Sequence, residues 1–142
     1  MKTNKVKRYE DLQIRNIDKA ASRFSKHLMS NSKWVKLVSK LVENISSISK
    51  IEFKKIQSNE IGELTLSEDT EFGFDYWQNG FEGHNSLGGW LTFKEIEYLI
   101  FSNHKNKNDS SQNLEEIENI ILSVGQFEIE KDKTQLKLLC YR

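Results

Sequence analysis

Apolar residues return every three or four positions in the first third of the chain and every second position after it. From Tyr9 to Met29, Leu12, Ile17, Ala20, Ala21, Phe24 and Leu28 fall near one side of a helical wheel, opposite Arg15, Asp18, Lys19, Arg23 and Lys26. That spacing predicts an amphipathic helix. Asn31 or Ser32 then offers a short side chain able to accept a hydrogen bond from an unpaired first-turn N–H. The run Trp34, Leu37, Val38, Leu41, Ile45 and Ile48 predicts a second helix, the most regular in the chain.

After Ser49 the groups Ile51, Phe53 and Lys55, then Ile61, Leu64 and Leu66, then Phe72, Phe74 and Tyr76 alternate as half-buried antiparallel strands do. Asn79-Gly80 marks a turn because both residues tolerate positive φ, and Gly83 to Gly89 predicts a loop ahead of Trp90-Leu91. Thr92-Phe93-Lys94-Glu95 fits a capping box, followed by a strand over Tyr98 to Phe101. Ser102 to Asn113 is almost wholly polar, which predicts a mobile loop. Asn113 with Glu116 is a second capping-box match, and Ile117, Ile120, Ile121 and Val124 give a short helix ended by Gly125. Phe127 to Glu130, a turn at Asp132 and Thr134 to Tyr141 then predict a terminal hairpin. This order predicts a single α+β domain over residues 1–142, with helices on one face of an antiparallel sheet and a basic helical extension over 1–29.

Composition narrows the class. A chain of 142 residues with 37% hydrophobic and 11% aromatic residues can bury one core. With 30% charged residues and a mean hydropathy of −0.65 it does not read as a membrane protein. The basic start, Met1 to Arg8, is not followed by the apolar segment of a secretory signal, so a cytoplasmic location and no membrane partner are expected. The lone cysteine, Cys140, allows neither an internal disulfide nor a cysteine metal cluster.

The net charge of zero conceals two opposite halves. Residues 1–40 carry eleven Lys or Arg against Glu10, Asp11 and Asp18, whereas residues 41–142 carry ten against eighteen carboxylates. Acidity is sharpest from Ile56 to His104, where nine carboxylates face Lys94 alone. Charge asymmetry of this kind speaks of partners rather than of fold.

Several short blocks add a resemblance. Asn31-Ser32-Lys33-Trp34, Phe93-Lys94-Glu95-Ile96-Glu97-Tyr98, and Val124-Gly125-Gln126-Phe127 with Leu138 to Tyr141 together resemble an uncharacterised bacterial family of small proteins, of the domain-of-unknown-function kind. The likeness covers most of the chain from residue 31 onward. It implies a compact α+β domain and no activity; small acidic α+β proteins are often immunity proteins that neutralise toxins, an analogy of size and charge.

Candidate chemistry concentrates between Phe72 and His84, where six aromatics or imidazoles share thirteen residues with three glycines. Strand alternation assigns Phe72 and Phe74 to the core, while Trp77 and Phe81, beside the predicted turn, divide evenly between core and surface recognition. Glu68, Asp69, Glu71, Asp75, Glu82 and His84 surround them, with Tyr76 as a further aromatic. Their charge would steer a basic protein partner, such as a toxin, and Tyr76, Trp77 and Phe81 would anchor it. His84 with Glu82, or with Glu95 and Glu97, has the residue types of a metal or acid–base site, but any pair can arise by coincidence among so many carboxylates. Cys140, in an apolar strand, reads as a buried hydrophobe. No catalytic residue, metal or cofactor is assigned. The expectation is a non-enzymatic inhibitor or immunity-type protein, the alternative a nucleic-acid-associated protein working through residues 1–40.

Overall fold

The computed structural model describes residues 4–48, 50–68, 72–73, 80–82, 85–87, 90–103 and 113–142. Helices α1 (Asn4–Ala21) and α2 (Asn31–Glu43) lead through a 3-10 turn, Ile45–Ser47, into strands β1 (Ile51–Lys55), β2 (Ile61–Leu64), β3 (Phe72–Gly73), β4 (Gly80–Glu82) and β5 (Trp90–Thr92). A second 3-10 turn, Phe93–Glu95, precedes β6 (Ile96–Ser102), α3 (Leu114–Leu122), β7 (Glu128–Lys131) and β8 (Gln135–Leu139). The fold is α+β: a five-stranded antiparallel sheet in the order β2-β1-β6-β8-β7 and a small sheet β3-β4-β5. None of the described helices is long and apolar enough to cross a membrane.

Register aligns the core. Phe53 pairs with Leu99 and Leu99 with Leu138, while Ile51 pairs with Leu64 and Phe101 with Leu136, so two apolar rows cross the sheet on one face. All seven residues are buried, together with Trp34, Leu37, Val38 and Leu41 of α2 and Ile117 and Ile121 of α3. Gly62 stands opposite Phe53, where a Cβ would lie 2.5 Å from the ring, so the missing side chain lets the phenyl group lie flat against β2. The outer edge of β2 is not left bare: the Ser86 N–H donates to the Glu63 carbonyl at 2.9 Å and the Glu63 N–H donates to Ser86 Oγ at 2.7 Å. That is one way a sheet avoids edge-to-edge pairing.

The helix expected over Tyr9 to Met29 ends at Ala21. Its last turn is buried through Ile17, Ala20 and Ala21, but Leu12, predicted on the same face, is 56% exposed. Five residues rotate a helix by about 140°, which carries Leu12 away from the side that Ile17 buries. Beyond the helix the chain crosses to the other terminus: the Lys26 N–H donates to the Arg142 carbonyl, the Arg142 N–H to the Lys26 carbonyl, and the Leu28 N–H to the Cys140 carbonyl, at 2.8–2.9 Å. These residues take a strand-like pairing because the last residues of the chain have unpaired backbone groups there, a demand invisible to helical periodicity.

Caps differ in detail. Ser30, not Asn31 or Ser32, caps α2, its Oγ accepting from the Lys33 N–H. Asn113 caps α3 through Oδ1, but Glu116 does not return the bond; its Oε1 accepts from Ser47 Oγ at 2.9 Å and ties α3 to the turn after α2. Of the loop expected over Ser102 to Asn113, Ser102 closes β6 and the Asn103 N–H donates to the Thr134 carbonyl, while residues 104–112 lie outside the described residues. Between β7 and β8, Asp132 Oδ1 accepts from the Thr134 and Gln135 N–H groups and from Thr134 Oγ1. The Thr134 backbone bond, then its hydroxyl, hold the Asp132 carboxyl below its ordinary value of 3.8. A lowered folded pKa stabilises the fold above the unfolded value and the gain is lost as pH falls through the folded one. Thermal melts of Asp132→Ala are therefore expected to lie below the parent at neutral pH and to converge with it in acid.

Candidate binding surface

The two faces of the large sheet differ in character. Alternating with the buried rows are Glu63, Glu52, Ile100, Lys137 and Glu130 in one line, and Ile61, Lys54, Tyr98, Leu139 and Glu128 in the next. Each of these ten side chains is half-buried or exposed, and Ile61 reaches 46% exposure. Strand alternation places them on the face away from the core. Apolar Tyr98, Ile100 and Leu139 occupy its middle, with carboxylates toward both outer strands.

Its electrostatics are unbalanced. Lys137 Nζ stands 4.3 Å from the centroid of the Tyr98 ring, and Lys54 Nζ donates to Glu97 Oε1 at 2.7 Å. Glu128 lies 3.7 Å from Arg142. Glu52 and Glu63, by contrast, are direct cross-strand partners, and among the described residues neither carboxylate forms an ion pair. Like charges directly opposite in a sheet are destabilising, and a cation brought by a partner would relieve them. Glu68, four residues after the end of β2, is exposed.

Of the residues predicted from sequence as anchors, Phe81 lies among the described residues. Phe81 is corrected from surface to core: it is fully buried, with its ring 5.2 Å from Phe93 and 6.4 Å from Trp34, both in edge-to-face contact. The adjacent Gly80 explains how deep it sits. A Cβ there would meet the Leu91 carbonyl oxygen at 2.1 Å, so β4 approaches β5 through a backbone without a side chain and carries Phe81 inward. Glu82 pairs with Trp90 in the small sheet, its side chain undescribed. Asp69, Glu71, Asp75, Tyr76, Trp77 and His84 lie outside the described residues, as do Phe74 and Asn79.

Glu95 and Glu97 have structural partners. Glu95 is buried; Oε2 accepts from the Thr92 N–H at 2.7 Å and from Thr92 Oγ1 at 2.9 Å, and Oε1 accepts from Gln57 Nε2 at 2.8 Å with Lys55 Nζ at 3.5 Å. The capping box read from Thr92 and Glu95 is thus realised, and extended to the chain after β1. Among the described residues, no group of three or more His, Cys, Asp or Glu is placed to hold a metal ion. Burial pushes the Cys140 thiol far above its ordinary 9.0, which removes the thiolate that nucleophilic attack requires. An alkylating reagent is expected to label Cys140 only as fast as the fold opens, with labelling of the native protein no slower than of the denatured chain overturning that placement.

Sheet alternation made half of this face legible, since Ile51 and Phe53 facing in put Glu52 and Lys54 facing out. What periodicity within one strand does not carry is register, and register alone sets Glu52 against Glu63 and Tyr98 against Leu139. Compared with protein-family models, curated proteins and solved structures, the chain matches none of them.

Proposed function

We propose that the protein is a non-enzymatic binding protein of the inhibitor or immunity kind, which covers a basic protein partner with its acidic, aromatic surface. The observation that supports this reading is the outer face of the large sheet. It offers Tyr98, Ile100, Leu139 and Ile61 as contact area, and the facing carboxylates of Glu52 and Glu63 lose their mutual repulsion when a lysine or arginine settles between them. Aromatic and aliphatic groups ringed by charge are what a specific interface needs, the first for affinity and the second for approach and orientation. Glu68 and the segment from Asp69 to His84 follow β2 in the chain and would add their charge to this surface.

The test is affinity capture with the full chain from cells of its own source, set beside a Glu52→Lys, Glu63→Lys variant and a Tyr98→Ala variant. Both act on exposed or half-exposed side chains, so melting curves should show folded proteins. A basic protein is expected to be retained by the parent, released as salt rises, and lost from both variants. Equal retention by the charge-reversed variant, or recovery of no basic protein, would overturn the reading.

A further inference from the structure

The two edges of the large sheet are finished differently. At β2, Ser86 meets both backbone groups that Glu63 turns outward. At β7 the open groups follow from the hairpin: the Asp132 N–H donates to the Gln135 carbonyl at 3.0 Å, and opposed residues of an antiparallel pair alternate between exchanging bonds and facing away. By that register Glu130 opposite Lys137 and Glu128 opposite Leu139 bond to β8, while Ile129 and Lys131 turn their N–H and carbonyl groups away from it. The other side of β8 agrees. There the Cys140 N–H donates to the Glu97 carbonyl and the Asn103 N–H to the Thr134 carbonyl, which gives Leu136 and Leu138 to β6 and leaves Lys137 and Leu139 for β7. Among the described residues, none bonds to the backbone of Ile129 or Lys131 from the open side.

The side chains of this edge select what can join it. Glu128 and Glu130 are exposed on the outer face; Ile129, half-buried against the core, and Lys131, 2.8 Å from Glu118 of α3, leave on the inner one. Glu130 forms no ion pair among the described residues, and Glu128 lies 3.7 Å from Arg142, both half-exposed. Charged side chains keep edges from pairing at random, and here they rule out a second copy of the strand. Two-fold antiparallel pairing centred on Ile129 sets Glu128 against Glu130, and pairing centred on Glu130 sets that residue against itself, so like charges meet in either register. On the open side Glu128 and Glu130 occupy the non-hydrogen-bonded positions, where opposed side chains come closest.

We propose that β7 receives an extended segment of a basic protein as an added antiparallel strand, with lysine or arginine opposite Glu128 and Glu130 and an apolar residue between them opposite Ile129. Main-chain bonds to Ile129 and Lys131 hold the segment, and its alternate side chains choose it. This mode of engagement rests on the reading of a basic partner, and it extends the acidic outer face by one strand beyond β7.

Two end-blocked synthetic peptides of equal composition are the probes, Lys-Val-Lys-Val-Lys and Lys-Lys-Lys-Val-Val, each added at millimolar concentration to the full chain while backbone amides are followed by NMR. With the alternating peptide, hydrogen exchange at Ile129 and Lys131 is expected to slow by about fivefold, whereas Glu128 and Glu130, already bonded to β8, change little. Lys131→Pro removes an outward N–H and leaves the ladder to β8 intact, as proline does on edge strands. It should bind the alternating peptide about fivefold more weakly than Lys131→Ala, which keeps that N–H, with both variants melting near the parent. Glu130→Gln should weaken binding and flatten its dependence on salt. No slowing at Ile129 and Lys131, equal binding of the two peptides, or equal binding by Lys131→Pro and Lys131→Ala would each overturn the added strand. Shifts confined to the surroundings of Glu52, Glu63 and Tyr98 would overturn it while keeping the outer face as the contact, which separates this failure from that of the basic-partner reading, where capture recovers nothing basic.

Discussion

A Trp34→Ala variant is expected to melt roughly 10 to 20 °C below the parent, reflecting a loss of about 3 to 5 kcal/mol. The indole is 2% exposed and lies stacked on Phe93, with centroids 5.2 Å apart and planes at 10°, while Phe81 meets it edge-on. These three rings come from α2, the 3-10 turn before β6 and the small sheet, so the truncation opens a cavity where three separate parts of the chain meet. Each aromatic pair adds about 0.5 to 1.5 kcal/mol beyond the area it buries. Against a total stability of about 5 to 15 kcal/mol the loss is a large fraction. Urea denaturation of Trp34→Ala beside Trp34→Phe measures it, the phenylalanine variant being expected to recover part of the loss. A Trp34→Ala protein that melted with the parent would remove Trp34 from the core.

Glu95→Ala should be the next most damaging single change, at about 3 kcal/mol. Its carboxylate is 5% exposed as a residue and gathers the Thr92 N–H, the Thr92 hydroxyl, the Gln57 amide and the Lys55 ammonium. Removing it strands a backbone donor and two side-chain donors in a place with little water, and a donor left unpaired in such a place costs more than the bond was worth. The Lys55 side chain is 20% exposed and regains solvent, which limits its share. Glu95→Gln should fall between, because its amide nitrogen turns a donor toward other donors. A double-mutant cycle with Thr92→Val separates the cap from the rest, and a non-additive result is expected, since both side chains serve one network. Unfolding midpoints unchanged by Glu95→Ala would mean that the carboxylate is not the tie between the turn and β1.

Periodicity sufficed where a segment answers mainly to its own neighbours. The alternation of Ile51 and Phe53, the helical spacing of Trp34, Leu37, Val38 and Leu41, the Thr92–Glu95 capping box and the Asn113 cap are local patterns, and each corresponds to an element observed. The α+β class follows from their order. Aromatic content around Phe81 was equally visible, but whether its ring faced water or core depended on how closely β4 approaches β5, which Gly80 decides through a contact with Leu91.

The sequence by itself determined which residues are apolar, which stretches form the main helices and strands, and that positive and negative charge occupy different parts of the chain, because these are properties of adjacent residues. Tertiary structure decided what stands beside what. Helix α1 stops at Ala21 so that Lys26–Leu28 can satisfy the backbone of Cys140–Arg142, which sets Arg142 next to Lys26; strand register places Glu52 against Glu63. The physical reason is the same in both cases. A backbone N–H or carbonyl must find a partner somewhere, and in a sheet that partner comes from a distant part of the chain, so side chains far apart in sequence are made neighbours by bonds their own chemistry does not form.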